Sequence, residues 1–263
     1  MDANKYKFNL QPSPVDPRDF MLEAIYPDAV TLPAVWDLRK NMRAIRDQGA
    51  EGSCSAQTVA AMKEWQEFSD VGLKEHMSPW FVYQLRSNAG QAGMTPRDTM
   101  EILYKIGITT EADYPYLNNK PITDELKSKA ANYKIQGYAQ INTLDSLKKA
   151  LFGNGPCYIA FPVYNPEKME FWKPDYIGQP SVGGHATCVA GYTKDSFIIR
   201  NSWSYQWGDQ GYTYYPFSQF GMHWEIWTAI DADSNSKVLS AKANNVACSK
   251  SLFRKMFRNK VSK

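Results

Sequence analysis

The hydrophobic pattern of this chain changes period once, near Gly155, and that change confines it to folds in which helices and strands are segregated. Before it, residues 55–68 carry Ala56, Val59, Ala60, Met62, Trp65 and Phe68 at helical spacing, uninterrupted by Pro or Gly. This predicts a buried helix starting at Cys54. Similar patterns predict helices near residues 78–86, near 98–105 with Gly107 as the stop, and over 144–152, closed by the breaker run 153–156. Beyond it, CYIAFPVY, HATCVAGY and SFIIRNSW are short apolar or β-branched runs separated by Gly, Pro, Asn and Asp. That is strand chemistry. The expected class is α+β, a helical first lobe joined to a strand-rich second lobe with a cleft between them.

The chain has 263 residues, 43% of them hydrophobic, enough to close a core unaided. Its net charge of +3 gives no overall field for nucleic acid or an acidic substrate. Charge is concentrated at the end instead: residues 232–263 hold eight Lys or Arg against the single acid Asp233. This basic tail is read as a solvated extension or as a contact for an anionic partner or membrane surface. The first ten residues have no apolar run behind a basic start, and nowhere do about 20 apolar residues follow one another. No signal peptide or membrane span is therefore expected, and a cytoplasmic or otherwise intracellular location is the default. The four cysteines, Cys54, Cys157, Cys188 and Cys248, form no C-x-x-C pair. Neither a disulfide framework nor a metal site nor a cofactor is expected.

Cys157 and Cys188 lie in apolar runs and read as small buried hydrophobes. Cys54 differs, because QGAEGSCSA places it where a polar loop becomes a helix. A thiol reacts as its thiolate, and an ordinary cysteine titrates well above neutrality. A helix N-terminus favours the anion by about 0.3–2 kcal/mol, at most about one and a half pKa units. That is too little, so an imidazolium partner is required.

Three histidines are available. His76 lies in a polar loop and reads as a surface residue, and His223 lies among bulky aromatics and reads as packed core. His185 follows Gly183 and Gly184 in VGGHATCVAGY, and glycines there let another backbone approach closely. The strand leaving His185 turns near residues 193–196 and returns as FIIRNSW. A hairpin would bring Asn201 beside His185, to fix its tautomer and orientation. Trp203 and Trp207 read either as shields for that hydrogen bond or as ordinary core aromatics.

QGAEGSCSA, GGHATCVAGY and RNSWSYQWGDQGY, in that order, resemble the papain-like cysteine peptidases, and LPAVWDLR and GITTEADYPY support the likeness. Cys54 precedes His185 by 131 residues and Asn201 by 147, within the spacing known for this signature. The resemblance spans residues 32–230 and implies a two-lobe fold with a barrel-like second lobe. It implies a cysteine endopeptidase acting on protein or peptide substrates through an acyl-enzyme. Cys54 would be the nucleophile in a thiolate–imidazolium pair with His185, Asn201 would orient His185, and Gln48 would donate to the oxyanion hole with the Cys54 backbone N–H. Gly93 and Met94 align with the main specificity pocket, which prefers an apolar side chain, and Gly184 and Trp203 would border the substrate.

Two departures stand out. Better-known members carry a half-cystine where this chain has Glu51 and an aromatic residue where it has Ser55. The first removes a loop-bracing disulfide; the second removes an aromatic wall. Both look like a disulfide-free branch seen in prokaryotes and some viruses. The implied organisation is an N-terminal extension over 1–31, a peptidase domain over 32–230 divided into helical (32–140) and strand (141–230) lobes, and the tail over 231–263. The proline-bearing extension reads either as a latch along the cleft, a short propeptide, or as a segment packed on the surface.

Three other readings use the same residues. A nucleophile elbow needs an apolar strand before the cysteine, and the polar stretch 46–51 does not supply one. A catalytically silent binding module would be expected to have lost one of the four polar positions, all present here. An acyl-transfer or deubiquitinase-like enzyme shares the nucleophile and differs only in the acceptor.

Overall fold

The computed structural model describes residues 5–24 and 30–231; the basic tail, with Cys248, lies outside the described residues. The opening motif becomes the N-terminus of the longest helix, α1 (Cys54–Val71), which Gly72 ends in the left-handed conformation at φ 72°. Every residue of α1 from Cys54 to Gln66 is buried, so its polar side chains need internal partners. Glu64 accepts from Arg46 at 2.7 Å and from the Met77 backbone at 3.0 Å. Lys63 pairs with Glu67 at 2.7 Å and with Asp231. Helices α2 (Pro79–Gln84) and α3 (Pro96–Lys105) flank it, each begun by a hydroxyl cap, Ser78 or Thr95, followed by proline. A short helix α4 (Asp124–Ala130) follows, capped by Thr123.

The second lobe is one antiparallel sheet built from β1 (Trp36–Asp37), β2 (Gly137–Ile141), β3 (Cys157–Val163), β4 (Gly183–Tyr192), β5 (Ser196–Arg200), β6 (Tyr212–Pro216) and β7 (Glu225–Ile230). Its order is β2-β7-β3-β4-β5-β6, and β1 pairs with the far end of β4. Helix α5 (Leu144–Gly153) lies between β2 and β3 in the chain. The sheet thus recruits β1 from the first half, and β2 starts before the lobe boundary expected at residue 141. The β4–β5 hairpin forms with Cys188 opposite Arg200, and a bulge before Tyr192 re-sets its register.

Strands β3 and β4 are buried on both faces, because α1 covers one side and aromatic residues fill the other. This central placement fixes the cleft. Helix α1 packs against β4, which brings the elements that carry Cys54 and His185 together.

Candidate active site

Cys54 is the first residue of α1, and its sulfur is approached by the backbone N–H groups of Ser55, of Cys54 itself and of Ala186 on β4. Ala186 directly follows His185, so the helix start and the strand start meet at the thiol and the imidazole. His185 Nε2 lies 2.8 Å from Asn201 Oδ1, and that same oxygen accepts the Ser202 backbone N–H at 2.8 Å. A backbone N–H can only donate, so this atom is the amide oxygen and His185 Nε2 must carry the proton. The other ring nitrogen, Nδ1, is therefore the bare base, and it has no hydrogen-bond partner. Trp203 stacks on the imidazole at 4.4 Å and 27°, with Trp207 edge-on to Trp203 at 5.3 Å. The two indoles keep water from the His185–Asn201 bond.

Gln48 is fully buried and tied to the same element as Asn201. Its backbone N–H donates to the Ser202 carbonyl at 2.9 Å, and its Oε1 accepts from Ser202 Oγ at 2.8 Å. Its Nε2 donates to the Glu51 carbonyl at 3.0 Å, leaving the second amide N–H of that nitrogen for another acceptor. Tyr116 adds a brace, donating to the Gln48 carbonyl at 2.7 Å and sharing a 2.7 Å bond with Ser53. Ser202 and Tyr116 are positioning residues that sequence reasoning missed. Ser202 stands next to Asn201 in the quoted motif, and Tyr116 ends another, but nothing in spacing assigned either a partner. Ser55, read as a missing aromatic wall, instead turns inward to the Tyr158 hydroxyl.

Gly93, Met94 and Gly184 line the cleft, and the N-terminal arm lies against all three. Gly184 N–H donates to the Phe8 carbonyl at 3.1 Å, Leu10 N–H to the Gly184 carbonyl at 3.3 Å, and Gln11 N–H to the Met94 carbonyl at 3.4 Å. Asn9 runs parallel to β4 at Gly184. A Cβ on Gly93 would lie 1.9 Å from the Asn9 carbonyl oxygen, and one on Gly183 2.1 Å from that of Phe8. The small residues thus measure out the width of one extended backbone. Leu10 is fully buried in the apolar cluster that holds Met94, Ala160 and Ala186, with Trp224 against it. Tyr6 stacks on Trp203 at 5.1 Å and donates to its carbonyl at 3.1 Å, while Phe8 meets His185 edge-on at 6.5 Å. Residues 8–11 of the extension thus run along Gly183, Gly184, Gly93 and Met94. His76 lies elsewhere on Glu64 at 3.0 Å, and His223 lies on Tyr215 at 3.0 Å.

Covered in this way, Cys54 is 1% exposed and His185 is 0% exposed. Burial pushes the thiol up from 9.0 to about 11, against the smaller pull of its backbone N–H contacts, and pushes the imidazole down from 6.5 to about 4, against the Asn201 bond. Burial thus favours the neutral form of each group in the closed arrangement. Charge on either group is disfavoured while the cleft is covered, because buried charges lose the water that would solvate them.

The sign of the pH dependence follows. A depressed histidine pKa gives stability that is fully present above 6.5 and is lost as pH falls through about 4. For His185 the loss approaches about 3 kcal/mol. The thermal midpoint should therefore fall between pH 6.5 and 4 by more in the native chain than in His185→Gln, as differential scanning calorimetry would show. Equal falls would mean that His185 is already solvated.

The sequence profile of the papain family cysteine proteases matches residues 32–223, which is most of the chain and includes Cys54, His185 and Asn201. The chain belongs to this family. Relatives include a cathepsin L-like peptidase of Aedes aegypti, 30% identical over 207 residues covering 72% of this chain and 60% of that one. An uncharacterized peptidase C1-like protein of Acanthamoeba polyphaga mimivirus is 26% identical over 217 residues, covering 71% and 70%. Among solved structures, xylellain, a cysteine protease from Xylella fastidiosa, superposes with a TM-score of 0.73 at 25% identity, covering 85% of this chain and 96% of that one. The digestive procathepsin L 3 of Tenebrio molitor shares the fold, with a TM-score of 0.64 at 22% identity over 81% and 76%. Helices packed on an antiparallel sheet are the α+β papain fold. The matched region spans 55–60% of the length of the first two curated relatives. Among the described residues no helix is long and apolar enough to cross a membrane.

Proposed function

We propose that this papain-family chain is a cysteine endopeptidase whose own N-terminal segment closes its cleft. The observation that carries the activity is the His185 arrangement: Asn201 holds the Nε2 proton, which leaves Nδ1 bare, and the next residue on β4, Ala186, meets the Cys54 thiol through its backbone. Once the arm is out and water returns, Nδ1 takes the Cys54 proton, and the helix N-terminus and backbone N–H groups favour the thiolate. The thiolate attacks a peptide carbonyl; its oxygen is received by the Cys54 N–H and the second Gln48 amide N–H. The His185 imidazolium then protonates the leaving amine. Water, deprotonated by the same nitrogen, hydrolyses the thioester and regenerates the thiol.

The arm indicates the substrate class. An extended backbone already pairs with Gly184 and Met94, so a polypeptide in extended form fits, and the pocket around Leu10 selects an apolar side chain. Met94 and Trp224 would set that preference. The test is cleavage of a peptide library by the native chain beside Cys54→Ala. Hydrolysis lost in the variant, with apolar residues enriched in the pocket, supports the reading. Transfer to added amines exceeding hydrolysis would replace it with an acyl transferase.

Asn201→Ala is a finer test. It leaves the buried Nε2–H of His185 without its acceptor, at about 1–3 kcal/mol, and frees the ring to adopt the other tautomer. The expected fall in kcat is about 10- to 100-fold with KM little changed. A fall seen only in KM would show that Asn201 serves binding rather than orientation.

A further inference from the structure

Arg97, the second residue of α3, directs its whole guanidinium at the arm. Its Nε donates to Asp19 Oδ1 at 2.9 Å, its Nη2 to Asp19 Oδ2, and its Nη1 to the Pro14 carbonyl at 2.6 Å. Its backbone N–H donates to Ser13 Oγ at 3.0 Å. The Ser13 N–H in turn donates to Glu225 Oε1 at 2.7 Å, and the other carboxylate oxygen accepts from Trp227 Nε1 at 2.7 Å. The Arg97 guanidinium sits 5.8 Å from the Trp227 ring centroid, and the Arg97 and Asp19 side chains are only 15% and 8% exposed. The reaction proposed for Cys54 and His185 uses none of these groups.

We propose that Arg97, Glu225 and Trp227 form a second binding site, adjoining the Leu10 pocket, for an aspartate-bearing turn of polypeptide, occupied here by residues 13–19. A planar fork that meets a carboxylate bidentately fixes orientation as well as charge, which one point charge could not do. The two ends of the site have opposite sign: Arg97 takes the carboxylate and a turn carbonyl, and Glu225 takes the backbone N–H where the turn begins. This divides the arm into two parts. Residues 6–11 close the cleft through a few backbone bonds and the Leu10 side chain; residues 13–19 hold the anchor. The closing part can leave the cleft while the anchor stays bound, so reclosure is intramolecular, at an effective concentration in the millimolar range for a short tether. The role in regulation rests on the cysteine-peptidase reading; the site itself does not.

The test is a double-mutant cycle on the full chain, read as the iodoacetamide alkylation rate of each cysteine by peptide mapping. Alkylation reports access to the thiol, not turnover, so a chain without peptidase activity would still report on the anchor. Asp19→Asn and Arg97→Gln should each raise Cys54 alkylation about tenfold or more, the range for a lost hydrogen bond to a charged group. The double variant should rise no further than the larger single one, because both break the same contact. Cys157 and Cys188, buried in the sheet, should stay protected in all three. Unchanged Cys54 rates, or effects of the two substitutions that multiply, would overturn the proposal. So would equal rises at all three cysteines, which would make the pair a support of the fold rather than of the arm.

Discussion

Cys54→Ala should reduce peptide hydrolysis by about 10⁴-fold or more, to a residue that Gln48 and substrate positioning alone can supply. The size of the loss follows from the covalent step. Without the sulfur no thioester forms, and the reaction falls back on water attacking a carbonyl polarised by oxyanion donors, a residual that itself exceeds the uncatalysed rate. The fold should survive. Cys54 sits at the first position of α1 and caps no other helix, and removing one buried sulfur costs about 1 kcal/mol by lost apolar burial. Steady-state turnover of a fluorogenic peptide, with the thermal midpoint as control, checks both halves. Retained activity in the variant would transfer the nucleophile to another group and remove the basis of the mechanism.

Leu10→Asp should have the opposite sign, raising turnover and uncovering the site. Leu10 is fully buried, and its burial contributes about 1.5–3 kcal/mol to the closed form. An aspartate there loses that contribution and must also bring a carboxylate into an apolar pocket lined by Met94, Ala160 and Ala186, so the arm opens instead. Taken together the change exceeds about 3 kcal/mol, which raises the open fraction by about 10²-fold until the open form predominates. The substitution leaves every residue of the pocket wall intact. KM and kcat of the opened form are then those of the enzyme itself, and wild-type turnover should approach them only as the arm is displaced. If Leu10→Asp and wild type hydrolyse a short peptide at equal rates, the arm is not a closing element.

The features legible in the sequence are local in origin. The start of α1 at Cys54 was readable because a polar loop meets an uninterrupted helical period, and the β4–β5 hairpin because turn residues separate two β-branched runs. The pairing of His185 with Asn201 followed from that hairpin. What stayed hidden depends on contacts far apart in the chain. β1 is two residues long and exists only because Trp36 and Asp37 find Tyr192 and Gly191. α4, in the run DELKSKA, shows no apolar stripe; its Thr123 cap and acidic first turn hold it, with Ala130 alone buried. The prolines of the arm signalled an extended segment, but its course is set by Gly93, Gly183 and Gly184, whose missing side chains leave room for its backbone. Trp224 and Glu225 lay in an aromatic run that reads as core, and only the packed structure shows one against the apolar cluster that holds Leu10 and the other bonded to Ser13. The burial of Cys54 and His185 was illegible for the same reason: it is a property of the covered cleft, not of the motif.

The proposed closure requires that the Cys54–His185 pair be held neutral under the arm and become an ion pair when the arm leaves. The pH profile of Cys54 alkylation by iodoacetamide, in wild type and in Leu10→Asp, tests it directly. In wild type the rate should be slow from pH 6 to neutrality, because the covered thiol is inaccessible and held above its ordinary range. In Leu10→Asp it should be fast already at pH 6, with the thiolate formed well below the ordinary thiol range. Superimposable profiles, both slow at pH 6 or both fast, would contradict the claim.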